Sequence, residues 1–197
     1  MSGQQYHLAH LNIGKAKAPL FDPLMAGFVT KLDEINNLAY QSPGFVWHLQ
    51  IDIHNPEHLA MYGEPGTIFN LSVWDSVKAL YTYVYRTQHA QMMKSRNDWF
   101  GEMEGPHYAL WWLPSDELPT LEDGKKRIAH LAAHGPTAHS FSFKNPFPNP
   151  ALPSQQEESE AGTMLLRPQP PAWLVERQQR ERQQRATDRA TKKESRT

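Results

Sequence analysis

The sequence contains no cysteine. That excludes disulfide staples, thiolate metal sites and a thiol nucleophile, and it fits a reducing compartment. No apolar run approaches the roughly 20 residues that a membrane helix needs. The opening MSGQQYHLAH lacks the basic region and apolar stretch of a secretory signal. Net charge is close to absent, at −1 over 197 residues, so nothing draws the whole chain to nucleic acid or an anionic membrane. Gly-rich phosphate loops, Ser-centred elbows and the HExxH zinc signature are also missing. These absences leave the expectation of a soluble cytoplasmic protein. What is there, 39% hydrophobic and 21% charged residues, suffices for one folded body with material to spare.

The charge is unevenly spread. Residues 1–150 carry eleven basic and fourteen acidic side chains, whereas 172–197 carry eight basic and four acidic. Between them lie Pro146, Pro148, Pro150, Pro153, Pro168, Pro170 and Pro171. Proline fixes φ and removes a donor, so that stretch cannot enter a sheet or helix interior. The expected organisation is a folded domain over 1–144, a proline-rich linker or arm over 145–171, and a basic Gln/Arg-rich tail over 172–197. Past Val175 the tail has almost nothing apolar to bury, which predicts disorder or a loose helix.

Within the body, Tyr6–Ile13 alternates and predicts a strand. Asp22-Pro23 is a helix start, a carboxylate cap followed by proline at the first helical position. Leu24, Phe28, Leu32, Ile35 and Ala39 continue it at helical spacing until Pro43-Gly44. Phe45–Ile51 and Thr67–Trp74 predict strands separated by a polar loop. Asp75 is placed to cap a long helix over 76–98. His107–Leu113 predicts a fourth strand, Leu121–His134 a further helix, and Ala138–Phe143 a last strand. The order βαββαβ plus αβ predicts an α+β, ferredoxin-like arrangement with helices on one face of an antiparallel sheet.

Alternation divides each strand into two sets. One set is apolar: Ala9, Leu11 and Ile13; Phe45, Trp47, Leu49 and Ile51; Phe69, Leu71 and Val73. Packing that set against the helices leaves the other face to His10, Asn12, His48, Gln50, Asn70, Ser72 and Trp74. A half-solvated antiparallel sheet is the common case. Solvated faces, however, usually carry Lys, Glu, Arg and Thr. Amides, imidazoles and a tryptophan are groups that orient a ligand in a partly dry cavity. Both readings stay open on the pattern alone.

The strand–helix order and the run FNLSVWDSVKALYTYVYRTQH resemble the dimeric α+β barrel superfamily, whose sheets pair face to face in a homodimer. YHLAHLNIGK, SPGFVWHLQ, NLSVWDSVKALYTYVYRTQH and RNDWF resemble an uncharacterised domain-of-unknown-function family within it, over about residues 5–145. The superfamily includes cofactor-independent antibiotic-biosynthesis monooxygenases that oxidise anthrone-type polyketides. Their strand-one asparagine, and their asparagine with tryptophan four residues on at the end of strand three, match Asn12, Asn70 and Trp74. The resemblance implies a small planar hydrophobic substrate and no cofactor. Asn12 and Asn70 would then stabilise a developing enolate, Trp74 would stack on the substrate, and His48 or His10 would take the proton. Gln50 and Ser72 would complete the pocket, with Tyr85 and His89 of the long helix contributing from its rim.

Other residues carry competing readings. His89 follows Tyr85 by one helical turn; haem-binding members of the superfamily use a helical histidine as axial ligand, which makes haem the alternative cofactor. The bland reading is a buried histidine bonded to a backbone carbonyl. Asp52, His54, Glu57 and His58 are possible metal ligands, but their spacing matches no zinc pattern and a polar loop is preferred. Arg96 and Trp99 are expected to close one end of the cavity. Trp111 and Trp112 should point to opposite faces, with Trp111 placed in the pocket set. The expected function is a monooxygenase-like enzyme, with non-catalytic binding of a hydrophobic metabolite as the alternative.

Overall fold

The computed structural model describes residues 4–55 and 66–151. The chain divides into two compact units, Met1–Met164 and Leu165–Thr197. The second, and with it the expected tail, lies outside the described residues, as does most of the expected arm.

The first unit contains β1 (Tyr6–Lys15), a 3-10 turn (Pro23–Met25), α1 (Ala26–Val29), α2 (Leu32–Gln41), β2 (Phe45–His48), β3 (Thr67–Trp74), α3 (Val77–Arg86), α4 (His89–Lys94), α5 (Arg96–Trp99), β4 (Tyr108–Pro114) and α6 (Leu121–His134). The strands form one antiparallel sheet in the order β2-β3-β1-β4. The protein is therefore α+β. Among the described residues, no helix is long and apolar enough to cross a membrane.

Asp22 caps as expected, its Oδ1 accepting from the Leu24 N–H at 2.9 Å with Pro23 next in line. The expected single helix nevertheless breaks at Thr30–Lys31. The two halves serve different cores. Met25 and Phe28 pack with Trp99, while Ile35 and Ala39 pack with Trp74 and Leu80. The expected helix over 76–98 is likewise three pieces. Its cap is Ser76, not Asp75; the Ser76 Oγ accepts from the Ala79 N–H while its own proton goes to Asp75 Oδ1. Thr87 makes the first break. Its hydroxyl donates to the Tyr83 carbonyl at 2.6 Å and accepts from the His89 N–H at 3.2 Å, ending one helix and starting the next.

Two strand expectations fail. Residues 138–143 make a single bridge to the sheet, Phe141 with Leu110, because tight turns close on both sides, Thr137 to Ser140 and Ser142 to Asn145. β2 stops at His48, and its register shifts between Phe45 and Trp47. That bulge inserts one residue and turns Phe45 to the same face as His48, against the simple alternation. Past residue 144 the first residues of the proline-rich arm sit on the body: Phe147 packs on Phe141, and its carbonyl accepts from Trp112 Nε1 at 2.8 Å.

The face assignment is reversed. Leu8, Trp74 and Leu110 join Ile35, Ala39, Leu80, Tyr83, Val84 and Phe141 beneath α2 and α3. The Ala9–Leu11 set faces the other way and meets α6, where Lys125 lies over Phe69 and Arg127 over Trp111. Alternation yields two sets, but here both hold large apolar residues, so it cannot say which set the helices choose. α6 is anchored by a capping box between Thr120 and Asp123.

The contact of α6 with β1 depends on Gly124. A Cβ there would lie 2.5 Å from Leu11 Cδ2 and 3.0 Å from Leu11 Cβ, and Leu11 is fully buried. In an open helix, Gly→Ala stabilises by about 0.5–1 kcal/mol. Here overpacking wins, and Gly124→Ala is expected to destabilise by about 1–3 kcal/mol. Denaturant midpoints test this; a raised midpoint would mean that α6 does not sit so close.

Candidate functional site

The cross-strand register brings most of the sequence-derived residues onto one face, the face beneath α2 and α3. A first row, Trp74, Leu8 and Trp112, is apolar. A second holds His48, Ser72, His10 and Leu110. A third holds Asn70, Asn12 and Tyr108. The Leu49 N–H bonds the Leu71 carbonyl at 2.8 Å, which carries the β2 register one step on and sets Gln50 at the end of the third row. Burial falls across the rows: Trp74 and Leu8 are wholly buried, Asn12 and Gln50 half-buried, Asn70 exposed.

Beyond the third row, Ile68 belongs to a second apolar cluster with Met25, Phe28, Trp99 and Phe100. Met92 of α4 touches both clusters. The polar residues thus form a seam between two apolar cores, opening towards solvent at Asn70. This is not the open outer face that alternation alone suggested. Trp99 is buried in that second cluster with Met25 and Phe28. Arg96, also in α5, is half-buried; burial, and after it the Arg96 charge, lowers the pKa of His107.

Three expected roles do not survive this placement. Trp74 is a core residue. Its Nε1–H donates to Ser72 Oγ at 3.1 Å and its ring packs on Phe45 and Tyr83, so neither ring face is free to stack on a substrate. Trp111 lies on the opposite sheet face under Arg127, away from the seam; Trp112 points the other way, as expected. His10 is buried with Nδ1 3.4 Å from Ser72 Oγ. Burial, reinforced by nearby His89, pushes its pKa down to about 3. A neutral imidazole of that basicity is poorly matched to take a proton near pH 7.

His48 keeps a partner suited to proton movement. Its Nε2 lies 2.6 Å from the Tyr40 hydroxyl, and Gln50 Nε2 donates to the same hydroxyl at 3.0 Å. Tyr40, on the last turn of α2, was not singled out from the sequence. The one signal for it was its position just before Pro43-Gly44, a turn that folds the helix end back over β2. Tyr108 was also missed, and only its pairing with Asn12 reveals it.

His89 is bonded through Nδ1 to the Val84 carbonyl at 3.3 Å and its ring stacks on Tyr83 at 4.8 Å. Burial lowers its pKa. Tyr85, expected in the pocket, is instead exposed, its ring tilted against Tyr81 and edge-on to Phe143. Asp52 and His54 form a local turn, the His54 N–H donating to Asp52 Oδ1; Glu57 and His58 lie outside the described residues. Among the described residues no three His, Asp or Glu side chains are grouped as a metal site. An open recess of about 310 Å³ lies at the free edge of β4, lined by Pro106, His107, Tyr108, Leu131 and Pro136. It shares only Tyr108 with the seam.

Comparison with solved structures returns a protein of unknown function, NE2512 from Nitrosomonas europaea, at 13% identity and a TM-score of 0.40, covering 60% of this chain and 99% of that one. No curated protein matches. Residues 7–158, which span all three rows of the seam, match a domain of unknown function, and the chain accordingly belongs to the DUF3291 family.

Proposed function

We propose that this protein binds a small, flat, largely apolar molecule at the outer end of the seam. The observation that carries this is the third row: uncharged amides, graded from half-buried to exposed, set between two apolar clusters. Such a setting favours a ligand with an apolar body and a polar edge. Asn12 and Asn70 donate to an oxygen on that edge. The strand order supports the ferredoxin-like reading of the fold. A homodimer remains the expectation from the superfamily, but α6 occupies the outer face over Leu11 and Trp111, so that strip is not where two sheets would meet.

Catalysis is the second reading, favoured by the short Tyr40–His48 hydrogen bond. The same two amides would stabilise an enolate, with His48 as the base, as cofactor-independent oxygenation of an anthrone-like compound requires. Haem ligation by His89 fits less well. Its Nδ1 bond to a carbonyl is the orientation that axial histidines use, but its ring is already packed on Tyr83.

Calorimetric titration with 1-naphthol and 1-methoxynaphthalene tests the binding reading. Both should bind, and Asn12→Ala with Asn70→Ala should weaken both about tenfold with little change in melting temperature. Binding of neither probe would sink it. Oxygen uptake on adding an anthrone, lost in the double variant, would add turnover to binding; a Soret band in the purified protein would instead favour His89.

A further inference from the structure

Gln50 has one half of its amide satisfied and the other half not. Its Nε2 donates to the Tyr40 hydroxyl, and its Oε1 is buried with no hydrogen-bond partner. Buried carbonyl oxygens nearly always find a donor, so an orphan here is informative. Its orientation follows from its neighbours. The Tyr40 hydroxyl has one proton, and in the tautomer that leaves His48 Nε2 unprotonated it donates that proton to this nitrogen 2.6 Å away. The Tyr40 oxygen is then an acceptor, and only the NH2 side of Gln50 can meet it. Oε1 is held in place as an acceptor with nothing to accept.

The rest of the row is more adaptable. Asn70 and, one strand further on, Asn12 each carry an amide whose NH2 can donate. Donors and one fixed acceptor along a single row match a ligand edge with the complementary pair. We propose that Gln50 Oε1 accepts a hydrogen bond from an O–H or N–H on the bound molecule. The ligand class is then a hydroxylated or amino-substituted planar aromatic, and Tyr40 is a positioning residue that holds the amide in this orientation. This rests on the binding reading above and narrows it.

The naphthol pair separates the two claims, since the methyl ether keeps the ring and the oxygen but loses the donor. Wild-type protein should bind 1-naphthol about tenfold more tightly than 1-methoxynaphthalene, the scale set by leaving one buried acceptor unpaired. Gln50→Leu should remove that preference by weakening the naphthol while the ether binds as before. Gln50→Glu, which keeps an acceptor, should retain it. Tyr40→Phe should reduce the preference with Gln50 still present, a change that a purely structural role would not produce; far-UV circular dichroism checks that each variant is folded. Equal wild-type affinity for the two probes overturns the acceptor role and leaves the binding reading intact. A preference for the ether overturns the assigned orientation. Binding of neither removes both claims together.

Discussion

Acidification from pH 7 to pH 4 should lower the unfolding free energy steeply, and His10→Gln should remove a large part of that slope. His10 lies between β3 and β4, with Ser72 on one side and Leu110 on the other, and the Tyr108 ring 6.2 Å away. Burial and His89 hold its pKa at about 3 in the folded protein, against 6.5 for the free side chain. Between those values the unfolded chain binds a proton at this site and the folded chain does not. Stability is therefore complete above about pH 6.5 and falls as pH drops, by up to about 1.4 kcal/mol per unit, until about pH 3. From pH 6 to pH 4 the site alone costs roughly 2–3 kcal/mol, a large share of a typical 5–15 kcal/mol. His7, His89 and His107 are also shifted down by burial and add in the same direction. The test is thus the difference in slope between wild type and His10→Gln in denaturant melts across this range. Equal slopes would mean that His10 is hydrated or paired, and would reopen its role as a base.

Trp74 carries the second large effect. Its side chain is wholly buried, touches Phe45 and Tyr83, and satisfies Ser72 through its indole N–H. Trp74→Ala removes the centre of the first cluster and should cost about 3–5 kcal/mol, enough to leave much of the protein unfolded at 37 °C. Trp74→Phe keeps a ring but loses the donor and part of the volume; about 1–3 kcal/mol is expected. Under conditions where Trp74→Phe is folded, affinity for 1-naphthol should stay within about twofold of wild type, a bound set by a cost below about 0.4 kcal/mol. The converse result, stability kept and binding lost, would place the indole against the ligand and restore the stacking role that the superfamily resemblance implies.

These two residues also show how far the sequence reads. His10, Asn12, Asn70, Ser72 and Trp74 were grouped by alternation, and the register confirms that they share a face. Nothing in alternation distinguishes a residue at the buried end of a strand from one at the open end. Trp74 and Asn70 are four residues apart on one face, yet one is sealed in a core and the other is in solvent. The difference arises because α2 and α3 cover only part of that face. Phe45 was assigned to the wrong side because a bulge adds a residue that no local pattern announces. Tyr40 was invisible as a site residue because its partners, His48 and Gln50, come from a strand that reaches it only when the helix end folds over.

By itself, the sequence determined the Asp22-Pro23 start, the extent of α6 and the division of β1 and β3 into two faces. These depend on contacts within a few residues: period, capping and turn chemistry. The tertiary structure alone decided which face the helices cover, where the long helices break, and which polar side chains are buried deeply enough to lose their charge. Those outcomes depend on which apolar surfaces meet across long separations in the chain, and on the desolvation that follows.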